Sequence, residues 1–175
     1  AHKRWVPHDD VAMSAAELAS GKGHKDENFP VASILIAKKH RPAILAFYRF
    51  ARAADDVADN AAATPTAKLA LLEDMRANIA GEANDSPPAV ALRKILTKRG
   101  LSNEHALDLL TAFRQDVTKQ RYSNWNELLD YCRYSAMPVG RFVLDAHGES
   151  RDTWPANDLL CAALQIINHL QDCTK

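Results

Sequence analysis

The stretch from residue 41 to residue 59 reads RPAILAFYRFARAADDVAD and predicts a long amphipathic helix. Pro42 suits the first turn of a helix, where its missing N–H group costs no hydrogen bond. The apolar residues after it recur every three or four positions, as they do on one helical face. These residues are Ile44, Phe47, Phe50, Ala51, Ala54 and Val57. We therefore expect this helix to pack its apolar face against a helical core.

The composition of the whole chain also favours helices over strands. Its 175 residues include 30 Ala, the strongest helix former, against 22 Val, Ile and Thr in total. We therefore predict an all-α fold, with residues 1–175 forming a single helical domain. Capping residues and prolines predict further helix starts at Asp9 or Asp10, Thr64-Pro65, Ser86-Pro87, Ser102, Asn124 and Thr153-Trp154-Pro155.

Charge and cysteine content narrow the classes of function. The 22 Lys and Arg balance 22 Asp and Glu, so the chain lacks the basic excess of a nucleic-acid binder. Cys132, Cys161 and Cys173 show no C-x-x-C spacing, which argues against a zinc site or a disulfide framework and fits a reducing cytoplasm. The longest apolar stretches fall short of the roughly 20 residues that span a bilayer. We expect a cytoplasmic protein that contacts a membrane at most peripherally.

Two carboxylates near the end of the 41–59 helix give the strongest chemical signal. Asp55 and Asp59 are four residues apart and project from one helical face, with Arg52 one turn earlier. Carboxylates about 6 Å apart repel each other by roughly 3 kcal/mol at an effective dielectric constant of about 20. A bridging cation would remove this repulsion, and oxygen ligands without His or Cys favour Mg²⁺. A solvated acidic face is the alternative interpretation.

A second polar group lies near the end of the sequence. Gln165, Asn168 and Asp172 have the spacing i, i+3, i+7 and share one helical face. Because their neighbours are apolar, we expect these polar groups beside the core, where they line a ligand cavity or join packed helices by hydrogen bonds. His169 is rotated about 100° from Asn168 and is predicted to be structural. The apolar neighbours are Leu164, Ile166, Ile167 and Leu170.

A third feature is the segment YCRYSAMPVG at residues 131–140. The helix that starts at Asn124 is predicted to run through about His147 and to kink at Pro138, which lacks an N–H group. A kink opens space beside a helix, and Tyr131 would donate its hydroxyl into that space. A kink that only accommodates core packing is the alternative.

Together these segments resemble the squalene and phytoene synthase family, the head-to-head prenyl synthases. The resemblance is carried by ENFP at 27–30, FYRFAR at 47–52, YCRY at 131–134 and QIIN at 165–168, in the family's order. It extends from about His24 to the last residue. Two segments are most similar to the bacterial hopanoid-pathway branch of squalene and hydroxysqualene synthases, namely ENFPVAS and YCRYSAMPVGR.

The resemblance implies an isoprenoid-synthase-type helical bundle with Mg²⁺ as its cofactor. It implies that Arg52 and Tyr48 contact the diphosphate of the substrate. It also implies that Gln165 and Phe29 line the substrate site and that Tyr131 lies near the reacting carbons. The catalytic residues would then be Tyr131, Arg52 and Tyr48. The implied metal ligands are Asp55, Asp59, Asn168 and Asp172.

The resemblance further implies a prenyl diphosphate substrate, either presqualene diphosphate or farnesyl diphosphate. No G-x-G-x-x-G fingerprint supports an NADPH site, so quenching of the carbocation by water to give hydroxysqualene fits better than reduction to squalene. Pathway enzymes are candidate partners.

The chain departs from the family pattern in two places. The family normally has another Asp four residues after Asp172, whereas this sequence ends at Lys175, within a predicted helix. We therefore expect a bundle that is incomplete at its C-terminal end, with activity belonging to a longer protein or requiring a partner chain. A diphosphate-binding Ser of the relatives is replaced at about Asp26.

Several alternative functions stay open at this point. One is condensation of two farnesyl diphosphates to presqualene diphosphate, and another is a non-catalytic scaffold, which would not need the charged residues. A terpene cyclase is disfavoured by Tyr131 and Gln165, and a di-iron bundle by the lack of a Glu-x-x-His pair. The run KKHR at 38–41 favours a solvated positive turn over contact with an anionic lipid or a diphosphate.

Overall fold

The structure, a computed structural model, describes residues 36–119 and 121–172. These residues form seven α-helices and no strand, which confirms the predicted all-α fold. The helices are α1 (Arg41–Asp59), α2 (Pro65–Ala80), α3 (Pro87–Arg99), α4 (Glu104–Thr118), α5 (Trp125–Ser135), α6 (Met137–His147) and α7 (Trp154–Asp172). A short 3₁₀ helix, Arg151–Thr153, precedes α7. The helix predicted to begin at Asp9 or Asp10 lies outside the described residues.

Helix α1 is the central element, because it packs against α2, α3, α4 and α6. Its predicted apolar stripe is buried, apart from Ala51, which is half-buried. The ring of Phe47 stacks on that of Phe142 from α6, with centroids 4.0 Å apart. Helices α2, α3 and α4 complete the core, mainly with Leu72, Met75, Ile79, Leu92, Leu96, Leu109 and Leu110. This core fixes the orientation of α1 and therefore of the acidic residues at its end.

The helix ends follow the capping residues in the sequence. The Thr64 hydroxyl accepts a hydrogen bond from the N–H of Ala67 over 3.2 Å, and the Asn124 side chain accepts one from the N–H of Glu127 over 3.0 Å. One predicted start is displaced: α4 begins at Glu104, two residues after Ser102. The Ser102 hydroxyl accepts from the N–H of Glu104, which favours a turn ahead of the helix.

The predicted kinked helix is instead two helices. Helix α5 ends at Ser135 and α6 begins at Met137. Pro138 has no N–H for the carbonyl of Tyr134, so the hydrogen-bond ladder breaks where a kink was expected. The break lets α6 turn and pack closely against α7 at Gly140. A Cβ atom at that position would lie 1.9 Å from Oδ1 of Asn157 and 2.7 Å from Sγ of Cys161.

The lengths and apolarity of the described helices can be compared with those of a membrane-spanning helix. None of those in residues 36–119 and 121–172 combines the length and apolarity required to cross a bilayer.

Candidate active site

The end of α1 presents the acidic residues on one face, as their spacing predicts. Arg52 Nη1 lies 2.6 Å from Oδ2 of Asp55, and Arg52 Nη2 lies 3.4 Å from Oδ1 of Asp56. Asp59, one turn after Asp55, is exposed. Tyr48 is half-buried one turn before Arg52. A cationic group and two carboxylates therefore follow one another along this face.

Helix α4 adds a third carboxylate to this region. Asp116 accepts a hydrogen bond from the hydroxyl of Tyr131 on α5, with an O–O distance of 3.0 Å. Partial loss of hydration raises the pKa of the Asp116 carboxyl, although part of the residue is exposed, and the negative charge of Asp59 adds to that rise. The hydrogen bond from Tyr131 and the charge of His169 act in the opposite direction. Negative charge from α1 and α4 thus converges beside Tyr131.

The sequence did not reveal Asp116. It is the lone acid on its turn of an amphipathic helix, with no second acid four residues away. Only the packing of α4 against α1 and α5 gives it a partner.

Two tyrosines stand side by side next to Asp116. Tyr131 is buried, and its ring centroid lies 5.2 Å from that of Tyr122. Burial, followed by the charge of Asp116, raises the pKa of Tyr131 far above its ordinary value. The same two causes raise the pKa of Tyr122 to about 12. Both hydroxyls therefore carry their protons at neutral pH, and that of Tyr131 donates its proton to the hydrogen bond with Asp116. Tyr122 was not predicted, because it lies in the loop before α5 and outside the quoted motifs.

Helix α7 closes the cluster from the other side. Gln165 is half-buried, and its Nε2 lies 3.5 Å from Nε2 of His169. The His169 ring centroid is 5.9 Å from that of Tyr131 and 6.5 Å from that of Tyr122. His169 therefore contacts Tyr131, a predicted catalytic residue, although it is rotated about 100° from Asn168, and its predicted structural role stays a prediction. Gln165 and His169 are four residues apart, so they share a face that Asn168 only borders.

The expected burial around Gln165 is only partly observed. Asn168 is exposed, and so are most of its apolar neighbours: Leu164 at 52%, Ile167 at 49% and Leu170 at 64%. Their side chains project from a face of α7 that no described helix covers. The inference from these neighbours that Asn168 lies beside the core was therefore wrong.

Two predicted site residues fall outside what can be described. Phe29 lies outside the described residues. The backbone of α7 extends through Asp172, whose side chain is also outside the description. Their assignments stay predictions, as do the chemical roles of the other predicted residues.

A different cluster brings three possible metal-ligand atoms close together. Within residues 36–119 and 121–172, Glu104, His105 and Asp145 bring three ligand atoms within 4.8 Å of one another. Nε2 of the buried His105 lies 2.9 Å from Oδ2 of Asp145, whose Oδ1 accepts a hydrogen bond from Trp154. Glu104 pairs with Arg151 over 2.7 Å. These contacts join α4, α6 and the start of α7, which is a structural role.

That cluster is separate from the acidic face of α1. His105 and Asp116 are 11 residues apart on α4, or about 16 Å along its axis at the rise of an α-helix. The cluster therefore does not contribute ligands to the group formed by Asp59, Asp116 and Tyr131.

Known proteins resemble this chain over most of its described length. The family model for squalene/phytoene synthase matches residues 22–175. The chain is 62% identical over 165 residues to the hydroxysqualene synthase of Zymomonas mobilis. This match covers 93% of this chain and 56% of that protein. It is 60% identical over 162 residues to the hydroxysqualene synthase of Rhodopseudomonas palustris, with coverage of 93% and 56%.

A solved structure shares the fold. The crystal structure of squalene synthase HpnC from Alicyclobacillus acidocaldarius matches with a TM-score of 0.72 and 37% identity, covering 90% of this chain and 59% of that one. The likeness confirms the predicted isoprenoid-synthase-type bundle. The chain spans little more than half the length of the relatives that it matches.

Proposed function

The chain belongs to the squalene/phytoene synthase family, and on this basis we propose that it carries the diphosphate-binding part of a head-to-head prenyl synthase. The protein ionises presqualene diphosphate and yields hydroxysqualene, releasing diphosphate. The observation that supports this function best is the convergence of Asp59, Asp116 and Tyr131, which places one oriented hydrogen-bond donor beside concentrated negative charge.

The residues present fit a magnesium ion. Asp55 and Asp59 lie one turn apart at the end of α1, so their carboxylates repel each other at an electrostatic cost that a divalent cation would offset. Carboxylate and amide oxygens, without His or Cys, are ligands that Mg²⁺ prefers. We assign its ligands to Asp55, Asp59, Asn168 and Asp172. When bound, Mg²⁺ neutralises negative charge on the leaving diphosphate.

Arg52 and Tyr48 bind the diphosphate oxygens in this proposal. Arg52 lies one turn from Tyr48, and its contact with Asp55 fixes the direction of its guanidinium group. A guanidinium group offers paired N–H donors that match phosphate oxygens, so it stabilises the charge that grows as the C–O bond breaks. Tyr48 supplies a further donor on the same face.

Tyr131 and Gln165 define the side on which the carbocation reacts. Asp116 fixes the Tyr131 hydroxyl, and the raised pKa of Tyr131 keeps its proton in place. A neutral hydroxyl orients water or stabilises positive charge through its oxygen without being consumed. Gln165, beside His169, adds amide hydrogen-bonding groups to the same wall.

The proposed reaction balances in two steps. The C–O bond of presqualene diphosphate breaks, and both of its electrons leave with the diphosphate. After rearrangement of the carbon skeleton, a water oxygen forms a new C–O bond, and its proton passes to the released diphosphate or to solvent. The products are hydroxysqualene and diphosphate, and no reductant is consumed.

A second candidate is the preceding half-reaction, condensation of two farnesyl diphosphates. The same acidic face and Arg52 would serve it, because that reaction also begins with breakage of the C–O bond of a prenyl diphosphate. A non-catalytic scaffold that associates with pathway enzymes is the third candidate.

One experiment separates the three candidates. The chain is assayed alone and as a chimera extended by the region of the Zymomonas mobilis relative that lies beyond the match. Each form is incubated with Mg²⁺ and either presqualene diphosphate or farnesyl diphosphate, without NADPH, and products are identified by mass spectrometry. Metal-dependent hydroxysqualene supports the proposed function. Presqualene diphosphate formed from farnesyl diphosphate supports the half-reaction, and no product from either substrate supports the scaffold.

A further inference from the structure

A groove of about 430 Å³ lies between α1 and α3, away from the acidic face. Its walls come from successive turns of α1 and from the facing side of α3. The lining residues are Lys38, Arg41, Pro42, Leu45, Ala46, Arg49, Pro88, Ala91 and Ile95. Its volume falls in the range of sites that bind small organic molecules.

The groove uses a different face of α1 from the proposed active site. Arg41, Leu45 and Arg49 follow one another at intervals of four residues. Tyr48 and Arg52 belong to the other face, and Arg49 is rotated about 100° from Tyr48 around the helix axis. A ligand in the groove would therefore leave the acidic face open.

The lining of the groove carries charge of one sign. Lys38, Arg41 and Arg49 contribute three positive charges, and none of the described residues that line the groove is acidic. Arg41 is anchored, because its Nε donates a hydrogen bond to the carbonyl oxygen of Ile36 over 2.7 Å. This bond holds the segment before α1, including Lys38, against the start of the helix. The positive charges thus follow the α1 side of the groove.

The remaining lining is apolar. Leu45 and Ile95 are half-buried and line the groove together with the small residues Ala46 and Ala91. The groove therefore presents an apolar floor beside a cationic edge. A ligand that matches both has an anionic group attached to an apolar body.

We propose that this groove docks the headgroup region of an anionic phospholipid and so holds the protein against a negatively charged membrane surface, in place of the solvated turn that the sequence alone favoured for residues 38–41. The phosphodiester lies along Lys38, Arg41 and Arg49, and the upper part of the acyl chains lies over Leu45 and Ile95. Inorganic phosphate would use the cations but leave the apolar floor unoccupied. This inference is independent of the proposed catalytic function, because it involves none of the residues assigned to that function.

The test is sedimentation of the full chain with vesicles of phosphatidylglycerol and phosphatidylcholine, compared with phosphatidylcholine alone. We expect binding only to the anionic vesicles, weakening as salt is raised. Each basic residue near an anionic surface contributes about five-fold to binding. The double variant Lys38→Gln, Arg49→Gln should therefore bind roughly 25-fold more weakly. A matched control, Arg121→Gln with Arg133→Gln, removes two exposed charges outside the groove and should change binding by less than about two-fold.

A third variant adds a negative charge to the lining of the groove. Ala91 is exposed in the groove, so Ala91→Glu adds a negative charge without disturbing the core. It should weaken vesicle binding while circular dichroism stays unchanged. Equal losses in the groove variant and the control would overturn the proposal, since they would indicate diffuse charge attraction. Full displacement from vesicles by millimolar inorganic phosphate, at constant ionic strength, would also overturn it and identify a free phosphate site.

Discussion

Tyr131 donates its hydroxyl hydrogen to Asp116 over 3.0 Å, and this bond links α5 to α4 beside the charge of Asp59. The two residues are 15 positions apart in the sequence and belong to separate helices. Their bond holds the Tyr131 hydroxyl in a single direction. Loss of the hydroxyl should therefore affect chemistry more than folding.

We expect Tyr131→Phe to lower kcat for hydroxysqualene formation about 100-fold, with KM changed by less than about three-fold. The ring keeps its packing against Tyr122, but the oriented donor is lost. Steady-state assays of the chimera with presqualene diphosphate measure both constants.

A double-mutant cycle with Asp116→Asn checks the mechanism of this loss. If Asp116 acts through Tyr131, the double variant should be little worse than Tyr131→Phe alone. Independent, additive losses would show that Asp116 has a separate role. A large decrease in melting temperature for Tyr131→Phe would instead assign the bond to stability.

The acidic face of α1 gives a second prediction. Asp55→Asn or Asp59→Asn should abolish Mg²⁺-dependent turnover, because each removes a negative oxygen ligand from the proposed metal site. Helical content and melting temperature should stay near those of the unmodified protein, since Asp59 is exposed and Asp55 is only half-buried. Assays over a range of Mg²⁺ concentrations and circular dichroism measure the two effects.

The control for these variants is Asp74→Asn. Asp74 is an exposed acid on α2 and has the same charge change without a place in the site. Its activity should be unchanged. An Asp55 or Asp59 variant that stays active, or that unfolds, would return these carboxylates to a structural role.

The sequence alone predicted most of the described helices, because their signals are local. Thr64-Pro65 and Asn124 mark helix starts through hydrogen bonds to N–H groups three residues away. The stripe on α1 is buried because its spacing matches the helical repeat. Asp55 and Asp59 were found for the same reason, since their relation lies within one helix.

The features that the sequence missed depend on contacts between helices. Asp116 gains its partner from α5, and His169 meets Tyr131 and Tyr122 only through the packing of α7 beside α5. The 100° rotation of His169 from Asn168 is correct as helix geometry. It does not say which side of α7 faces the neighbouring helix, so the contact of His169 with Tyr131 was not predicted, and the structural role of His169 stays a prediction.

The position of His169 gives a third prediction. His169→Phe should retain the ring contacts with Tyr131 and Tyr122 but lose the polar contact with Gln165. Release of diphosphate from presqualene diphosphate should continue within about ten-fold of the original rate, while the fraction of hydroxysqualene among the products falls. Diphosphate assay and mass spectrometry measure these quantities separately.

His169→Gln is the matched variant, because it keeps a hydrogen-bonding group near Gln165. It should recover part of the alcohol product. Unchanged product ratios in both variants would show that His169 only packs against the tyrosines. Loss of diphosphate release in both variants would place His169 in the ionisation step.

The close approach of α6 and α7 gives a fourth prediction, on stability. Gly140→Ala should lower the free energy of unfolding by about 1–3 kcal/mol, because the added Cβ meets Asn157 and Cys161. The higher helix propensity of Ala offsets part of this by up to about 1 kcal/mol. Urea unfolding followed by circular dichroism measures the change. Adding Asn157→Ala should recover part of the loss, and a Gly140→Ala protein as stable as the original would rule out the tight contact.

The ion pair between α6 and α7 gives a prediction for pH dependence. Both nitrogens Nε and Nη2 of Arg141 donate to Asp158, with Nε 2.8 Å from Oδ1. Burial opposes ionisation of Asp158, but the hydrogen bonds from Arg141 and Asn157 outweigh it and lower the pKa of this carboxyl from its ordinary value. Because the folded pKa is lower than the unfolded one, ionised Asp158 stabilises the fold above about pH 4. This contribution is lost as the pH falls through the folded pKa.

Asp158→Asn should therefore lower the free energy of unfolding by about 1–3 kcal/mol at pH 7. The difference from the unmodified protein should shrink as the pH falls below about 4, since both proteins then lack the negative charge. Urea unfolding at a series of pH values measures it. Asp130→Asn is the control, because Asp130 is exposed and its carboxylate comes no closer than 3.8 Å to Arg133. This substitution should change the free energy of unfolding by less than about 0.5 kcal/mol. A loss for Asp158→Asn that is equal at every pH would mean that the amide disturbs packing, and that the charge of Asp158 does not stabilise the contact between α6 and α7.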